Sequence, residues 1–315
     1  MRVVCYNTDN PICYRSIMVK VKIIADSKSE VGDRITTFEV EYQRFIHSEF
    51  MTHRQFSRNA ASSRAIPVLT MTDLVYANPA MPIHWGKNQP GMQAKQELQE
   101  PELVRTKSLW NEAKDFAISI AMKMNAEGAH KQIINRILEP FQMIKVVMTT
   151  TQIENFFYLR AHPDAQPEIQ ELAVAMREAL SKSIPWLLEE GDWHVPYYNE
   201  GVWNEKSPDS WEDAIAISSS CCAQVSYRKL DQSIDKARDI YKKLVDLKPV
   251  HASPFEHQAT PLVYEVECLE DLMSGNWPDG VTHMDAKGEF WSGNFKGWIQ
   301  HRQMIENHVY EGETK

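Results

Sequence analysis

Between His53 and Arg64 the chain reads HRQFSRNAASSR, which gathers a histidine, three arginines, three serines and an asparagine. Arginine forks make planar, two-pronged contacts with phosphate or carboxylate groups. Ser62, Ser63 and backbone N–H groups add neutral donors nearby. On charge alone the segment is either a place where anions are held or a surface helix end with solvated arginines. Further constellations bear on that choice. Asn135–Pro140 (NRILEP) is followed by Asn155–Arg160 (NFFYLR) and Asp164–Ile169 (DAQPEI). An arginine directly after the apolar run FFYL requires an anionic or carbonyl partner if buried, and Glu154 or Asp164 is close enough in sequence to serve. Asn155 and Arg160 lie five positions apart and so leave one helix at different angles. Near the other end stand Ala223–Tyr227 (AQVSY) and His251–His257 (HASPFEH), where Pro254 suits a first helical turn capped by Ser253.

The elements that must position these groups follow from periodicity. Lys20–Ala25 and Thr36–Tyr42 alternate apolar and polar residues and are expected as half-buried strands around an acidic turn at Ser27–Asp33. The period then changes, and Phe45, Ile46, Glu49, Phe50 and His53 predict a helix presenting His53 and Arg54 near its end. Residues 67–101 hold much of the proline and are expected as a long ordered loop. Helices are expected over Glu102–Met124, Lys131–Leu138, Met148–Leu159 and Asp164–Leu188, the last capped by Asp164. Residues 189–210, rich in Trp, Pro and Gly, form a boundary before a helix at Tyr227–Leu247 and a strand at Leu262–Cys268. No internal repeat or low-complexity tract is present.

Composition narrows the function classes. The 315 residues are 43% hydrophobic with nine Trp, enough for a sizeable core. A formal charge of −9 argues against generic nucleic-acid binding, whose affinity comes mainly from neutralising phosphates. No apolar run approaches the roughly 20 residues needed to span a bilayer, so no membrane partner is expected. The first residues lack the layout of a secretory signal. Five Cys without regular spacing predict neither a disulfide framework nor a metal site, and a reducing cytoplasm is the expected location.

The segment from His53 to Arg64 resembles the central motif of the flavin-dependent thymidylate synthases, also called thymidylate synthase-complementing proteins. His53 and Arg54 match the last two members of an Arg-His-Arg triplet, and Ser57, Asn59, Ser62 and Arg64 follow in matching positions. NRILEP, NFFYLR and DAQPEI resemble the family's Ala-Arg-x-x-Leu-Pro, Asn-Phe-x-x-Leu-Arg and His-Ala-Gln-x-Glu-Ile segments, and SPFEH its flavin-contacting segment. Three positions depart: Thr52 stands in place of the first arginine, Glu49 in place of a glutamine, and Ala60 in place of a glutamate. AQVSY and SPFEH come last here but first in ordinary members, so the resemblance implies a circularly permuted chain. It implies an α+β fold with helices packed on an antiparallel or mixed sheet. One catalytic domain would span 1–315, with core motifs at 36–64, 130–190 and 218–265, an insertion at 67–100 and an extension at 266–315.

The implied reaction moves a one-carbon unit from methylenetetrahydrofolate to C5 of dUMP, using FAD and NADPH, in a homotetramer with flavin sites at subunit interfaces. By the same resemblance His53, Arg54, Asn59, Asn155, Ser226 and His257 would bind the flavin. Glu49, Ser62, Ser63, Arg64, Arg136 and Arg160 would hold the nucleotide, with Arg160 and Arg64 polarising the pyrimidine and Ser62 positioned beside the reacting carbon. Alternatives stay open: a dUMP or dCMP hydroxymethylase or methylase, which the carboxylate of Glu49 would suit by accepting from a cytosine amino group, or a non-catalytic nucleotide-binding relative. Two segments, Pro82–Gly91 and Gly293–Arg302, would either cover a folate, replace the arginine absent at Thr52, or simply pack.

Overall fold

The computed structural model describes residues 19–226, 231–264 and 277–309. It is an α+β protein built on one five-stranded sheet. Strands β1 (Lys20–Ser29) and β2 (Arg34–Gln43) pair antiparallel from Lys20↔Glu41 to Lys28↔Arg34, with a bulge between Ile23 and Ala25. A short 3-10 turn and helix α1 (His47–Phe50) lead to β3 (Ser57–Ala60). Helices α2 (Val68–Ala77), α3 (Glu102–Ala126) and α4 (Lys131–Ile137) follow. The chain then re-enters the sheet as β4 (Met143–Thr150) and leaves it as α5 (Glu154–Arg160) and α6 (Pro167–Lys182). Strand β5 (Trp186–Leu188) runs parallel to β1 and completes the order β3-β4-β2-β1-β5.

Alternation of side chains along the strands gives the sheet two different faces. Phe38, Val40 and Tyr42 of β2 and Ile144, Val146 and Met148 of β4 point toward α5 and α6, forming the main core with Phe156, Phe157, Ile169, Leu172 and Met176. The opposite face is covered by the C-terminal half. Strands β6 (Trp193–His194) and β7 (Val202–Trp203) form a hairpin, followed by helices α7 (Trp211–Ala223) and α8 (Ile234–Asp246). The short strands β8 (Ala259–Pro261), β9 (His283–Met284), β10 (Phe290–Ser292), β11 (Phe295–Lys296) and β12 (Trp298–Gln300) form two small sheets, ordered β12-β8-β6-β7 and β11-β10-β9. Gly201 seats the hairpin: its φ is +95°, and a Cβ there would lie 2.5 Å from the Cβ of Ala25 at the bulge of β1.

Several expectations are corrected. The loop expected at 67–101 contains α2, because Val68, Met71 and Val75 recur at helical spacing and pack with Ala117 and Ala121 of α3. The helix expected over Met148–Leu159 begins only at Glu154; Met148–Thr150 end a strand zipped along its whole length to β2. The helix expected over Asp164–Leu188 covers Pro167–Lys182, and its cap is the Gln166 side chain, which accepts from the Ile169 N–H. Trp186–Leu188 are strand. The helix expected from Tyr227 starts at Ile234, residues 227–230 lying outside the described set. The strand expected at Leu262–Cys268 falls partly outside the described residues, and the observed pairing is at Ala259–Pro261. Helix α7 was not foreseen.

Candidate functional site

The turn from α1 to β3 is fixed by aromatic packing and one committed arginine. Phe50 is fully buried against Tyr42, Phe56 and Phe156, with ring centroids 5.3, 5.7 and 5.9 Å away. Arg58 points back under the turn, its Nη1 donating to the carbonyls of Phe50 (3.0 Å) and His53 (2.9 Å). The Phe50 carbonyl ends α1 and the His53 carbonyl lies in the turn that follows, and both are acceptors that favour a cation between them. Arg58 is therefore a structural brace of the motif. Thr52 donates its hydroxyl to the Glu49 carbonyl at 2.7 Å and closes the same turn.

His53 then lies edge-on to Phe156, 4.9 Å between centroids, and its Nε2 accepts from Arg160 Nε at 3.0 Å. Partial burial, and next the cations of Arg160 and Arg58, hold its pKa down at about 4. The imidazole is thus neutral at ordinary pH, with its proton on Nδ1. Arg160 Nη1 also faces Glu49 at 3.8 Å. Its guanidinium is oriented from one side and partly exposed on the other. Glu154 and Asp164, the sequence-near candidates, are not the partners found for Arg160.

Strand β3 places Ser57 and Asn59 on the face away from α5 and α6, where the far end of the chain meets them. Asn59 Nδ2 donates to the Cys222 carbonyl of α7 at 3.3 Å, and its Oδ1 lies 3.4 Å from His257 Nε2. The Ser62 N–H donates to Ser226 Oγ at 2.8 Å. His257 follows a 3-10 turn over Ser253–Glu256 whose Phe255 is fully buried against Tyr241. Ser226 and His257, both from the last third of the chain, thus touch the motif opened by His53. His257 is fully buried, and both ring nitrogens have partners inside the chain.

Other candidates are distributed differently. Ser63 is buried, its Oγ 3.4 Å from Glu139 Oε1. The same oxygen accepts from Arg44 and Arg136, each at 3.0 Å. Arg136 is the more open of the two, with 58% of its side chain exposed. Arg54, Arg64 and Asn155 are exposed, and among the described residues neither Arg54 nor Arg64 has an ion-pair or hydrogen-bond partner. Two cavities lie elsewhere. One of about 440 Å³ sits against β1 beside Asp26 and Tyr197, the other of about 410 Å³ between α7 and α8 beside Trp211 and Arg238. Neither is lined by a motif residue. Among the described residues no cluster of three or more His, Cys, Asp or Glu could hold a metal, and no helix is long and apolar enough to cross a membrane.

Sequence reasoning missed the residues behind this surface. Asn294 Nδ2 donates to the Gln55 carbonyl at 3.1 Å while its Oδ1 accepts from Ser57 Oγ (3.1 Å) and Gln300 Nε2 (3.0 Å). Segment 293–302, ambiguous in the sequence, therefore clamps the start of β3. Arg302 within it pairs with Glu256 and does not reach Thr52 as a replacement arginine. Thr37, Thr149 and His194 are buried polar neighbours of His257. Their one signal was threonine at inward strand positions in TTFEVEY and VVMTTT.

No curated protein matches the chain. Among solved structures it is similar to a UMP/dUMP methylase, PolB, from Streptomyces cacaoi, in complexes with 5-Br UMP and 5-Br dUMP. Identity is 18% in both, coverage is 52% of this chain and 89% and 90% of that chain, and TM-scores are 0.43 and 0.44. Residues 32–186 match the family described as thymidylate synthase complementing protein. That stretch, just under half of the chain, runs from β2 to the first residue of β5 and carries both His53 and Arg160, and through it the chain is similar to the thymidylate synthase complementing protein family.

Proposed function

We propose that the protein is a flavin-dependent transferase that moves a one-carbon unit from methylenetetrahydrofolate to C5 of dUMP, with NADPH as reductant. The observation that carries the reading is the meeting of three segments on β3 and its flanks: His53 with Arg160, Asn59 with His257, and Ser62 with Ser226. A donor surface of this kind fits FAD and a nucleotide monophosphate, both anionic and both carrying a planar ring. Arg54 and Arg64 leave their forks uncommitted among the described residues, as a phosphate or pyrophosphate requires. Bound flavin would supply the redox chemistry; the residues would bind, orient and polarise.

Arg160 is the group proposed to act on the pyrimidine. Held by His53 and facing Glu49, its cation would stabilise negative charge developing on a ring carbonyl and so raise electron density at C5. Neutral His53 accepts from Arg160 without adding a second cation. Ser62 and Ser63 would position the substrate, Arg136 would join its phosphate contacts, and Asn155 would meet the flavin. Because both its nitrogens are engaged inside the chain, His257 would support the flavin surface from behind. The reading also makes the chain a circularly permuted member, in which Ser226 and His257 reach the site although they follow the family-matched stretch in sequence. A cytoplasmic homotetramer belongs to the same proposal, with a neighbouring subunit completing the site.

The test is reconstitution. Purified protein supplied with excess FAD is expected to retain it, with flavin absorbance. Given dUMP, methylenetetrahydrofolate and NADPH, it is expected to yield a product heavier by one methylene. Failure to bind FAD in excess would end the catalytic reading. Glu49, a carboxylate beside Arg160, supports dCMP as the second substrate. The product mass from each nucleotide distinguishes dUMP from dCMP and methyl from hydroxymethyl.

A further inference from the structure

The sheet face turned away from α5 and α6 carries a continuous line of buried polar side chains. Ser27 Oγ on β1 lies 2.9 Å from His194 Nδ1 on β6. His194 Nε2 lies 2.8 Å from Thr37 Oγ1 on β2, and Thr37 Oγ1 lies 2.7 Å from Thr149 Oγ1, its cross-strand partner on β4. Thr149 Oγ1 lies 2.8 Å from His257 Nδ1, and His257 Nε2 lies 3.4 Å from Asn59 Oδ1 on β3. Ser27, Thr37, Thr149, His194 and His257 are all 0% exposed. The line crosses the sheet from β1 to β3 and ends on a motif residue.

Its direction is determined at one end. Asn59 Nδ2 donates to the Cys222 carbonyl, which can only accept, so Asn59 presents Oδ1 to His257. His257 must then carry its proton on Nε2, and its bare Nδ1 accepts from the Thr149 hydroxyl. Thr149, having donated, accepts from Thr37; Thr37 accepts from the His194 Nε2–H; and His194 Nδ1 accepts from Ser27. Every proton points toward Asn59. Reversing the line would turn Asn59 Oδ1 onto the Cys222 carbonyl, two acceptors face to face. Burial keeps both histidines neutral, at about 3 each; Asp26 acts on His194 in the opposite sense, and His194 lowers His257 further.

We propose that Ser27, His194, Thr37 and Thr149 are positioning residues: one directional hydrogen-bond chain that fixes His257 as the Nε2–H tautomer and holds the Asn59 amide in a single orientation at the site. The importance of Asn59 rests on the function proposed above, but the chain itself is tested without turnover. Nitrogen NMR of the full-length protein, labelled at histidine, reads each ring nitrogen directly. At pH 7 His194 and His257 are both expected to show a protonated Nε2 and a bare Nδ1, with no titration between pH 5 and 8. Thr149→Val is expected to shift the Nδ1 resonance of His257. It should also shift His194, which Thr149 does not touch, because the Thr37 hydroxyl loses its acceptor; Thr149→Ser restores both. A protonated Nδ1 on either histidine, or a folded Thr149→Val whose His194 is unmoved, overturns the proposal. If Thr149→Val does not fold, the wild-type tautomers alone decide. Since no cofactor is needed, a failed tautomer result leaves FAD binding to be judged separately.

Discussion

At the scale of single residues, the arginines of the motif divide by what they already hold. Arg58 is committed to the carbonyls of Phe50 and His53, Arg160 is half committed through His53, and Arg54 and Arg64 stand in solvent. Arg160→Met keeps much of the side-chain bulk and removes the charge. Since burial and then Arg160 depress His53, its pKa is expected to rise above about 4 without reaching 6.5, because burial remains. A proton NMR titration of His53 checks this, and a value unchanged near 4 would detach Arg160 from His53. Turnover of the nucleotide is expected to fall by about 10- to 100-fold, the loss of a charged hydrogen bond of roughly 1.5–3 kcal/mol. Glu139 offers the converse case. One of its oxygens accepts from Arg44, Arg136 and Ser63, so the carboxylate sits where an anion would. Glu139→Gln is expected to cost about 1–3 kcal/mol, because the half-buried Arg44 and the buried Ser63 lose a charged acceptor. It should tighten a nucleoside monophosphate severalfold relative to its nucleoside, measured by calorimetry; equal changes for both would show that the cluster does not sense phosphate.

At the scale of elements, what positions the motif is a strand whose partners are far away in sequence. Ser57–Ala60 is a strand because it lies along β4, Ser57↔Thr149 to Ala60↔Val146, and because Asn294 ties its first turn to the C-terminal segment. Asn294→Ala is expected to take the acceptor from the Ser57 hydroxyl and one partner each from the Gln55 carbonyl and the Gln300 amide, which keep their bonds to Thr150 and to Ser57 and Glu256. The stability cost is about 1–3 kcal/mol, a drop of several degrees in Tm for a chain of this size. Loss of flavin retention at temperatures where the variant is still folded would show that the clamp serves the site as well as the fold. This dependence on distant partners also explains which parts were legible in the sequence. The His-Arg and Asn-Phe motifs were readable because their chemistry is local, a matter of type and spacing within a dozen residues or so. Strands β1 and β2 were readable because alternation is local too. Met143–Thr150 was misread in part as helix because an apolar run followed by threonines decides its conformation only when β2 lies alongside. α2 was hidden by neighbouring prolines, although its helical spacing was present. His194 was out of reach: nothing in its own neighbourhood announces Thr37 or Ser27.

At the scale of the whole molecule, the same buried histidines set how the fold responds to acid. His194 and His257 are pushed to about 3 and His301 to about 4, each mainly by burial. His301 is enclosed by Trp193, Trp211, Tyr241 and Phe255, and its Nδ1 has no hydrogen-bond partner. In the unfolded chain all three would titrate near 6.5. Their folded pKa values are depressed, so between pH 6.5 and about 4 the unfolded state binds more protons. The stability they contribute is present above 6.5 and is lost as pH falls through that window. Each histidine contributes about 1.4 kcal/mol per pH unit, and three together roughly 4 kcal/mol per unit once below 6. Against a total of about 5–15 kcal/mol for a typical protein, unfolding is expected near pH 4–5. Denaturant midpoints at pH 7.5, 6 and 5 measure the slope. His301→Phe preserves the ring packing, loses the contact to Tyr241 Oη (3.3 Å), and removes one titrating group. It is expected to be close to neutral at pH 7.5 and to flatten the acid slope by about one proton's worth, roughly 1.4 kcal/mol per unit. A variant as acid-sensitive as the parent would show that His301 is protonated in the folded state, and that the aromatic enclosure does not exclude charge.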